Sequence, residues 1–253
     1  MLRRLHHILS QNPLTSRAQR SVVHWAKELL SVPDAYYSMG QLYRKIKPKA
    51  VLDIGSHVGR TVIKILDYMP DAKVHAFEPT PQSVAILRNR MRRYPNVMVH
   101  ELALSDVTGT TKFFHNLGEQ TNSLLENSLS GKSPFNGVQQ HIAQIDVRTM
   151  TLDDWAAEFE PNGMLLIKAD VQGAERLLVT GGKTTFAQRV AAFYTELCLL
   201  PTYENQTTLW ELHTMLTEEL GLALFDIYPC AKDQLGRAAF TDAMWVQPSV
   251  LPI

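Results

Sequence analysis

Apolar side chains in the first fifty residues recur at helical spacing. Val22, Val23, Trp25, Ala26, Leu29 and Leu30 form one stripe closed by Pro33, and a second helix is expected over 36–46, ahead of Pro48. From residue 50 the pattern changes to short apolar runs alternating with amphipathic segments. Ala50–Ile54, Val74–Phe77 and 97–102 read as buried strands, with helices expected over 61–69 and 83–93 between them. This alternation calls for a parallel sheet with right-handed crossovers. Between 106 and 149 the period blurs. Short strands are expected over 110–114 and 142–148, and the Asn-, Ser- and Gly-rich stretch over 115–141 reads as a lid or binding loop. A helix capped at Thr151, a strand over 164–167, a helix over 174–179, a strand over 190–194 and a helix over 207–220 follow. The segments 222–227 and 243–246 close the pattern as an antiparallel strand pair. The expected architecture is α/β: a Rossmann-like, mostly parallel seven-stranded sheet over 49–253, preceded by an N-terminal helical extension over 1–48.

Composition narrows the partners. The 253 residues are 45% hydrophobic and 20% charged, with 25 basic and 25 acidic side chains. A balanced chain has no global field to recruit nucleic acid, so a small or neutral partner is expected. The N-terminus departs from the balance: Arg3, Arg4, Arg17, Arg20 and Lys27 precede the first acid, Glu28. A basic helical extension packed on the domain is expected there, with weak peripheral membrane contact or targeting as the alternative and homodimerisation as a further role. Cys198 and Cys230 cannot build a disulfide framework, and reduced thiols point to a cytoplasmic protein. No apolar run approaches the roughly 20 residues needed to span a bilayer. The nine histidines show neither H-x-H nor H-E-x-x-H spacing, so no metal site is expected.

Three motifs carry candidate chemistry. Asp53-Ile54-Gly55-Ser56-His57-Val58-Gly59 follows a strand and opens a helix. Gly55 permits the tight turn and Gly59 the close approach of helix to sheet. The glycine that admits a pyrophosphate is missing, and Asp53 favours a ligand with a cationic end; Ser56 and His57 lie in the same loop. Phe77-Glu78-Pro79 ends the second strand, where a carboxylate accepts hydrogen bonds from ribose hydroxyls. Together these describe an adenosine ligand without pyrophosphate. Lys168-Ala169-Asp170-Val171-Gln172-Gly173-Ala174-Glu175 ends the fourth strand, which makes Asp170 the candidate for orienting or deprotonating a substrate hydroxyl. Glu196 ends the next strand and is the second catalytic candidate. For each carboxylate the alternative is a helix cap, an ion pair or a solvated rim acid; a divalent cation shared by Asp170 and Glu196 is the lesser alternative to the expected absence of metal. Tyr43 and Lys47 have Y-x-x-x-K spacing but precede the first strand and read as helix surface.

The order of these motifs resembles the FkbM family of methyltransferases. The matching pieces are Asp53 to Gly59, Phe77-Glu78-Pro79, Asn96 through Ala103-Leu104-Ser105 to Gly109, Thr121 to Leu124, Val147 to Asp153, Ile167 to Glu175, and Glu196. The resemblance implies a class I methyltransferase fold binding S-adenosylmethionine and methylating a hydroxyl on a sugar, glycan or other natural-product-type acceptor. It implies that Asp53, Gly55 and Gly59 hold the methionyl end and Glu78 the ribose, with Ala103, Leu104 and Ser105 along the adenine and Asp170 facing the acceptor. Two positions depart from the family pattern: Gln172 stands where an acid is usual, and Cys198 where a histidine is common. They keep open a non-catalytic cofactor-binding or scaffold protein. A nicotinamide-dependent oxidoreductase is disfavoured by the missing second glycine. The acceptor itself is not named by the sequence.

Overall fold

The computed structural model describes residues 35–128, 139–160 and 162–251. The expected helix over 22–30, the basic N-terminus and the middle of the loop over 115–141 lie outside them. Helix α1 (Ala35–Ile46) leads into β1 (Ala50–Ile54), α2 (Arg60–Tyr68), β2 (Val74–Phe77), α3 (Pro81–Met91) and β3 (Val97–His100). Next come β4 (Ala103–Leu104), β5 (Gly109–Asn116), β6 (His141–Met150), α4 (Leu152–Phe159) and β7 (Leu165–Ala169). The chain ends with α5 (Glu175–Thr180), α6 (Lys183–Arg189), β8 (Val190–Cys198), α7 (Leu209–Thr214), β9 (Ala223–Ile227), β10 (Ala231–Lys232) and β11 (Ala238–Val246).

The main sheet runs β10-β11-β8-β7-β1-β2-β3, with β9 also paired to β11. The pairs from β8 to β3 are parallel and all pairs of β11 are antiparallel. Since β8 occupies one edge of β11, β9 and β10 share the other, so the eight strands fill the seven expected positions. Strand β1 pairs with β2 on one side and β7 on the other. Strand order reverses there, and in open α/β sheets the crevice beyond such strand ends is where ligands bind.

Every residue of β1, β2 and β7 is buried, as strands covered on both faces require. On one face Leu52, Phe77, Ile167, Phe193 and Trp245 pack beneath α4 to α7. On the other, Val51, Val74, Leu166, Tyr194 and Met244 pack beneath α1, α2 and α3. Each such side chain contributes on the order of 1.5–3 kcal/mol by leaving water. Helix α1 joins that core through Tyr36, Met39 and Leu42.

Several elements differ from the sequence pattern. The strand expected over 97–102 ends at His100, whose carbonyl accepts the Glu78 N–H. The chain then enters a second sheet, β4-β6-β5, whose long arm is the β5–β6 hairpin. Helix α6 was not expected; it is a short segment between Gly182 and Val190. The helix expected over 207–220 is α-helical only to Thr214, and the π-turn Met215–Glu219 follows. There the Thr217 hydroxyl donates to the His213 carbonyl, a back-bond that competes with the helical ladder. No helix among the described residues is long and apolar enough to cross a membrane.

Candidate active site

The loops after β1 and β7 are laced together. The Asp170 N–H donates to the Ile54 carbonyl at 2.9 Å, and a Cβ at Gly55 would lie 2.0 Å from the Asp170 carbonyl oxygen. Gly55 has φ +80°, so glycine is demanded both by the backbone angle and by the neighbouring chain. Gly59, at φ +82°, brings the start of α2 against Leu87 of α3, 2.6 Å from where a Cβ would stand. Between them His57 takes φ 45°, a left-handed conformation uncommon outside glycine and of the kind that collects at functional sites.

That turn aims the His57 N–H at Glu78 Oε2, 2.9 Å away. Glu78 Oε1 accepts the Thr80 N–H at 3.0 Å and also the Thr80 hydroxyl. Burial pushes the Glu78 carboxyl up, and the bonds from Thr80 and His57 act against that by favouring its charged form. The carboxylate is thus fixed in orientation at the end of β2.

Beyond these strand ends lies a cleft of about 300 Å³. Its polar side includes Gly55, Ser56, His57, Glu78 and Pro79, and its apolar wall includes Leu102, Ala103, Leu104 and Phe113. Helix α2 begins with no side-chain cap, and its first residues, Arg60 and Thr61, line the same space. At the far end stand Asp170, Val171 and Gln172. Gln120, Asn122 and Leu124, from the described part of the loop over 115–141, form a rim.

Of the candidate site residues named from the sequence, Asp53, Gly59, Ser105 and Glu196 do not line the cleft. Asp53 is fully buried beneath it, where Oδ2 accepts the Thr61 hydroxyl at 2.6 Å. Ser105 packs its carbonyl against Gly181. Glu196 stands behind Asp170 and not on the cleft wall.

Behind the cleft, charged residues pair across the sheet in two neighbouring rows, Lys168 itself facing Tyr194 on β8. Asp53 of β1 neighbours Lys168 of β7, and Glu196 of β8 neighbours Asp242 of β11. Lys168 Nζ lies 3.6 Å from Asp53 Oδ1 and 3.7 Å from Asp170 Oδ2. Burial opposes charge on Lys168, but Asp170, Asp53, Glu196 and Asp242 outweigh it and lift the ammonium above the ordinary lysine value. Glu196 is pushed up to about 8, first by burial and then by Asp170 and Asp242. Burial raises Asp242 in the same direction.

Both departures from the family pattern have a physical account. Gln172 Nε2 donates to Asp170 Oδ1 at 2.6 Å and reaches Glu196 Oε1 at 3.4 Å, while its Oε1 accepts the Tyr203 hydroxyl at 2.8 Å. A neutral amide bridges two acids where a third acid would repel both. Cys198 is 5% exposed, and burial pushes its thiol up, which makes it unreactive. The residues missed by sequence reasoning are those brought in from afar. Tyr203 bonds the Thr121 carbonyl and Ser123 bonds the Gln172 carbonyl, tying the rim to the β7 loop.

A doubly wound sheet with a glycine loop lacking a pyrophosphate cradle, a fixed carboxylate after β2 and an acid after β7 has the architecture of a class I methyltransferase. Residues 53–224 match the family described as the methyltransferase FkbM domain. The chain belongs to that family and is an S-adenosylmethionine-dependent methyltransferase. Over 164 residues it is 32% identical to 2-O-methyltransferase NoeI of Sinorhizobium fredii (strain NBRC 101917 / NGR234), covering 63% of this chain and 67% of that protein. Similar solved structures include the precorrin-6y C5,15-methyltransferase of Geobacter metallireducens GS-15 (TM-score 0.44, 11% identity, 84% of this chain and 87% of that one). Another is Aeropyrum pernix fibrillarin with natively bound S-adenosyl-L-methionine (TM-score 0.45, 12% identity, 78% and 66%).

Proposed function

We propose that the cleft binds S-adenosylmethionine and that the protein methylates a hydroxyl of a sugar-like acceptor. The observation carrying this reading is the cleft itself, which runs from the fixed Glu78 carboxylate to Asp170 along an apolar wall. Glu78 suits the ribose hydroxyls, and Ala103, Leu104 and Phe113 suit the adenine. The uncapped start of α2 suits the methionyl carboxylate, because unsatisfied N–H groups and the helix dipole favour an anion. Asp53 acts from beneath by holding Thr61. The absence of a side chain at Gly55 lets this loop close against the Asp170 carbonyl. The sugar-like acceptor is suggested by the name of the NoeI relative, a 2-O-methyltransferase.

S-adenosylmethionine, when bound, supplies an electrophilic methyl group. Asp170 orients the acceptor hydroxyl and takes its proton; the methyl would pass to that oxygen as its carbon–sulfur bond broke, the electron pair leaving on the sulfur of S-adenosylhomocysteine. Gln172 holds the Asp170 carboxylate in place through one oxygen. Alignment of the two reactants supplies much of the acceleration, with effective molarities worth roughly 7–11 kcal/mol in favourable cases.

The test is calorimetric titration with S-adenosylhomocysteine, followed by turnover on a panel of methyl glycosides. Micromolar binding that Glu78→Ala abolishes, with methyl transfer to at least one glycoside, is the expected result. No binding by the wild-type protein would refute the cofactor assignment. Binding without transfer to any hydroxylated acceptor would refute the acceptor class.

A further inference from the structure

Lys168 Nζ lies 3.7 Å from Asp170 Oδ2 at the reacting end of the cleft, yet Lys168 does not line it. Its side chain is 4% exposed, and Nζ has no hydrogen-bond partner. An unpaired ammonium in such a place is disfavoured by desolvation unless charges compensate it. The compensation comes from Asp53 Oδ1, itself buried without a hydrogen bond, and from Asp170 Oδ2. Glu196 and Asp242, paired across β8 and β11, add to it from the neighbouring row.

We propose that Lys168 is a positioning residue for methyl transfer: its ammonium is the counter-charge that lets Asp170, Glu196 and Asp242 crowd behind the acceptor side, and with Gln172 it fixes the Asp170 carboxylate from both oxygens. The inference rests on the reading of Asp170 as the acceptor-facing group. The geometry is a grip, with Gln172 Nε2 on Oδ1 at 2.6 Å and Lys168 Nζ beside Oδ2 at 3.7 Å. A carboxylate held this way keeps its direction while its neighbour Glu196 retains a proton up to about pH 8. The positive charge that a divalent cation would bring to clustered acids is already present in the chain.

The groups facing this row come from each packed element. Lys64 of α2 lies over the Tyr36 ring of α1, 3.9 Å from its centre, and weakly favours ionised Asp242. Tyr194 of β8 bonds Asp242 and packs edge-on to Tyr36. Glu175 of α5 is held up at about 8 by burial, and Tyr203 and Cys198 sit behind Gln172 as neutral groups. Apart from Lys168, the cation among them is Lys64, whose charge acts on Asp242.

The decisive measurement needs no turnover. Protein labelled with carboxyl-¹³C glutamate is titrated by NMR, with Glu196 assigned by Glu196→Gln. The Glu196 carboxyl is expected to titrate near pH 8 and to move up in Lys168→Met, since loss of a nearby positive charge disfavours its ionised form. Lys168→Arg, which keeps the charge, is expected to stay near wild type. If Lys168→Met does not fold, Asp53→Asn/Lys168→Met removes one acid with the ammonium and is read the same way. A Glu196 titration unmoved by loss of the ammonium, or moved equally by Lys168→Arg, overturns the proposal. With a methyl glycoside that turns over, Lys168→Met should lower kcat about tenfold or more with KM little changed. A KM effect alone would also overturn it. If no acceptor turns over, the proposed function fails on its own while the NMR result still decides whether Lys168 is the counter-charge.

Discussion

At the carboxyl ends of β1 and β7 the ammonium of Lys168 sits among carboxylates with no hydrogen-bond partner. On the opposite face of the same sheet, in β2, His75 has both ring nitrogens paired. Nδ1 meets His100 Nε2 at 2.8 Å and Nε2 meets Glu160 Oε1 at 3.0 Å, and Lys73 covers the same carboxylate. Phe77, Trp155 and Phe159 enclose this second cluster through ring contacts. Its unpaired indole N–H, on Trp155, carries no charge. Both clusters are buried and polar. One is closed on itself, and the other leaves charge uncompensated by hydrogen bonds next to a cleft. Buried polar groups in folded proteins are nearly always bonded, so the exceptions point to where a structure gives up stability for function.

The sharpest way to break this comparison is to remove one acid from each cluster. Asp170→Asn should lower turnover by about 100- to 10,000-fold, the usual contribution of a positioned acid–base group, with affinity for S-adenosylhomocysteine nearly unchanged. Unchanged turnover would remove Asp170 from the reaction. Glu160→Gln should leave kcat unaltered and lower stability by about 1–3 kcal/mol, because His75 and Lys73 lose a buried charged partner. Urea unfolding alongside turnover checks both. A stability loss in the first variant equal to that in the second would erase the distinction.

A smaller effect tests the tie between the rim and the β7 loop. Ser123→Ala removes the hydroxyl that donates to the Gln172 carbonyl at 2.8 Å and accepts the Leu125 N–H at 3.0 Å. The net loss in stability should be about 1 kcal/mol, and KM for the acceptor should rise more than kcat falls, since the rim and not the reacting acid is loosened. A fall in kcat at constant KM would show instead that the rim supports Asp170.

The two clusters were not equally legible in the sequence. Asp53 to Gly59 and Lys168 to Glu175 stand out because a tight turn at a strand end puts glycine and acid in short spacing. Glu78 was found for the same reason. The partners that give these residues meaning were hidden by distance along the chain. Asp53 meets Lys168 only through the register of β1 on β7, and Asp242 meets Glu196 only through the antiparallel pairing of β11 on β8. Tyr203 reaches Gln172 from a loop with no motif of its own. The second cluster left no signal at all. His75 and His100 lie within strands whose apolar runs define the sheet, and Glu160 follows a helix that the pattern explains without it. The Asn-rich loop read as a lid is, in its described part, a self-bonded rim, with Asn116 and Asn127 exchanging side-chain hydrogen bonds.

The gentlest test uses acid and base, because the clusters carry opposite pH signs. His75 and His100 are held at about 3 and about 4, chiefly by burial, against an unfolded value near 6.5. Between those limits the unfolded chain binds protons that the native one refuses, so stability falls as pH drops from about 6.5 toward 4 and 3. Glu196 is held up at about 8 against an unfolded value of 4.5. There the native state keeps a proton that the unfolded chain has lost, so this contribution is whole below 4.5 and declines as pH rises toward 8. Each group changes stability by up to about 1.4 kcal/mol per pH unit within its window. Urea midpoints measured across pH should therefore fall on both sides of a maximum. His100→Gln should flatten the acid side alone and Glu196→Gln the alkaline side alone. If either substitution flattened both sides, the clusters would be one coupled network through the sheet, and the separation of a structural from a functional set of buried charges would fail.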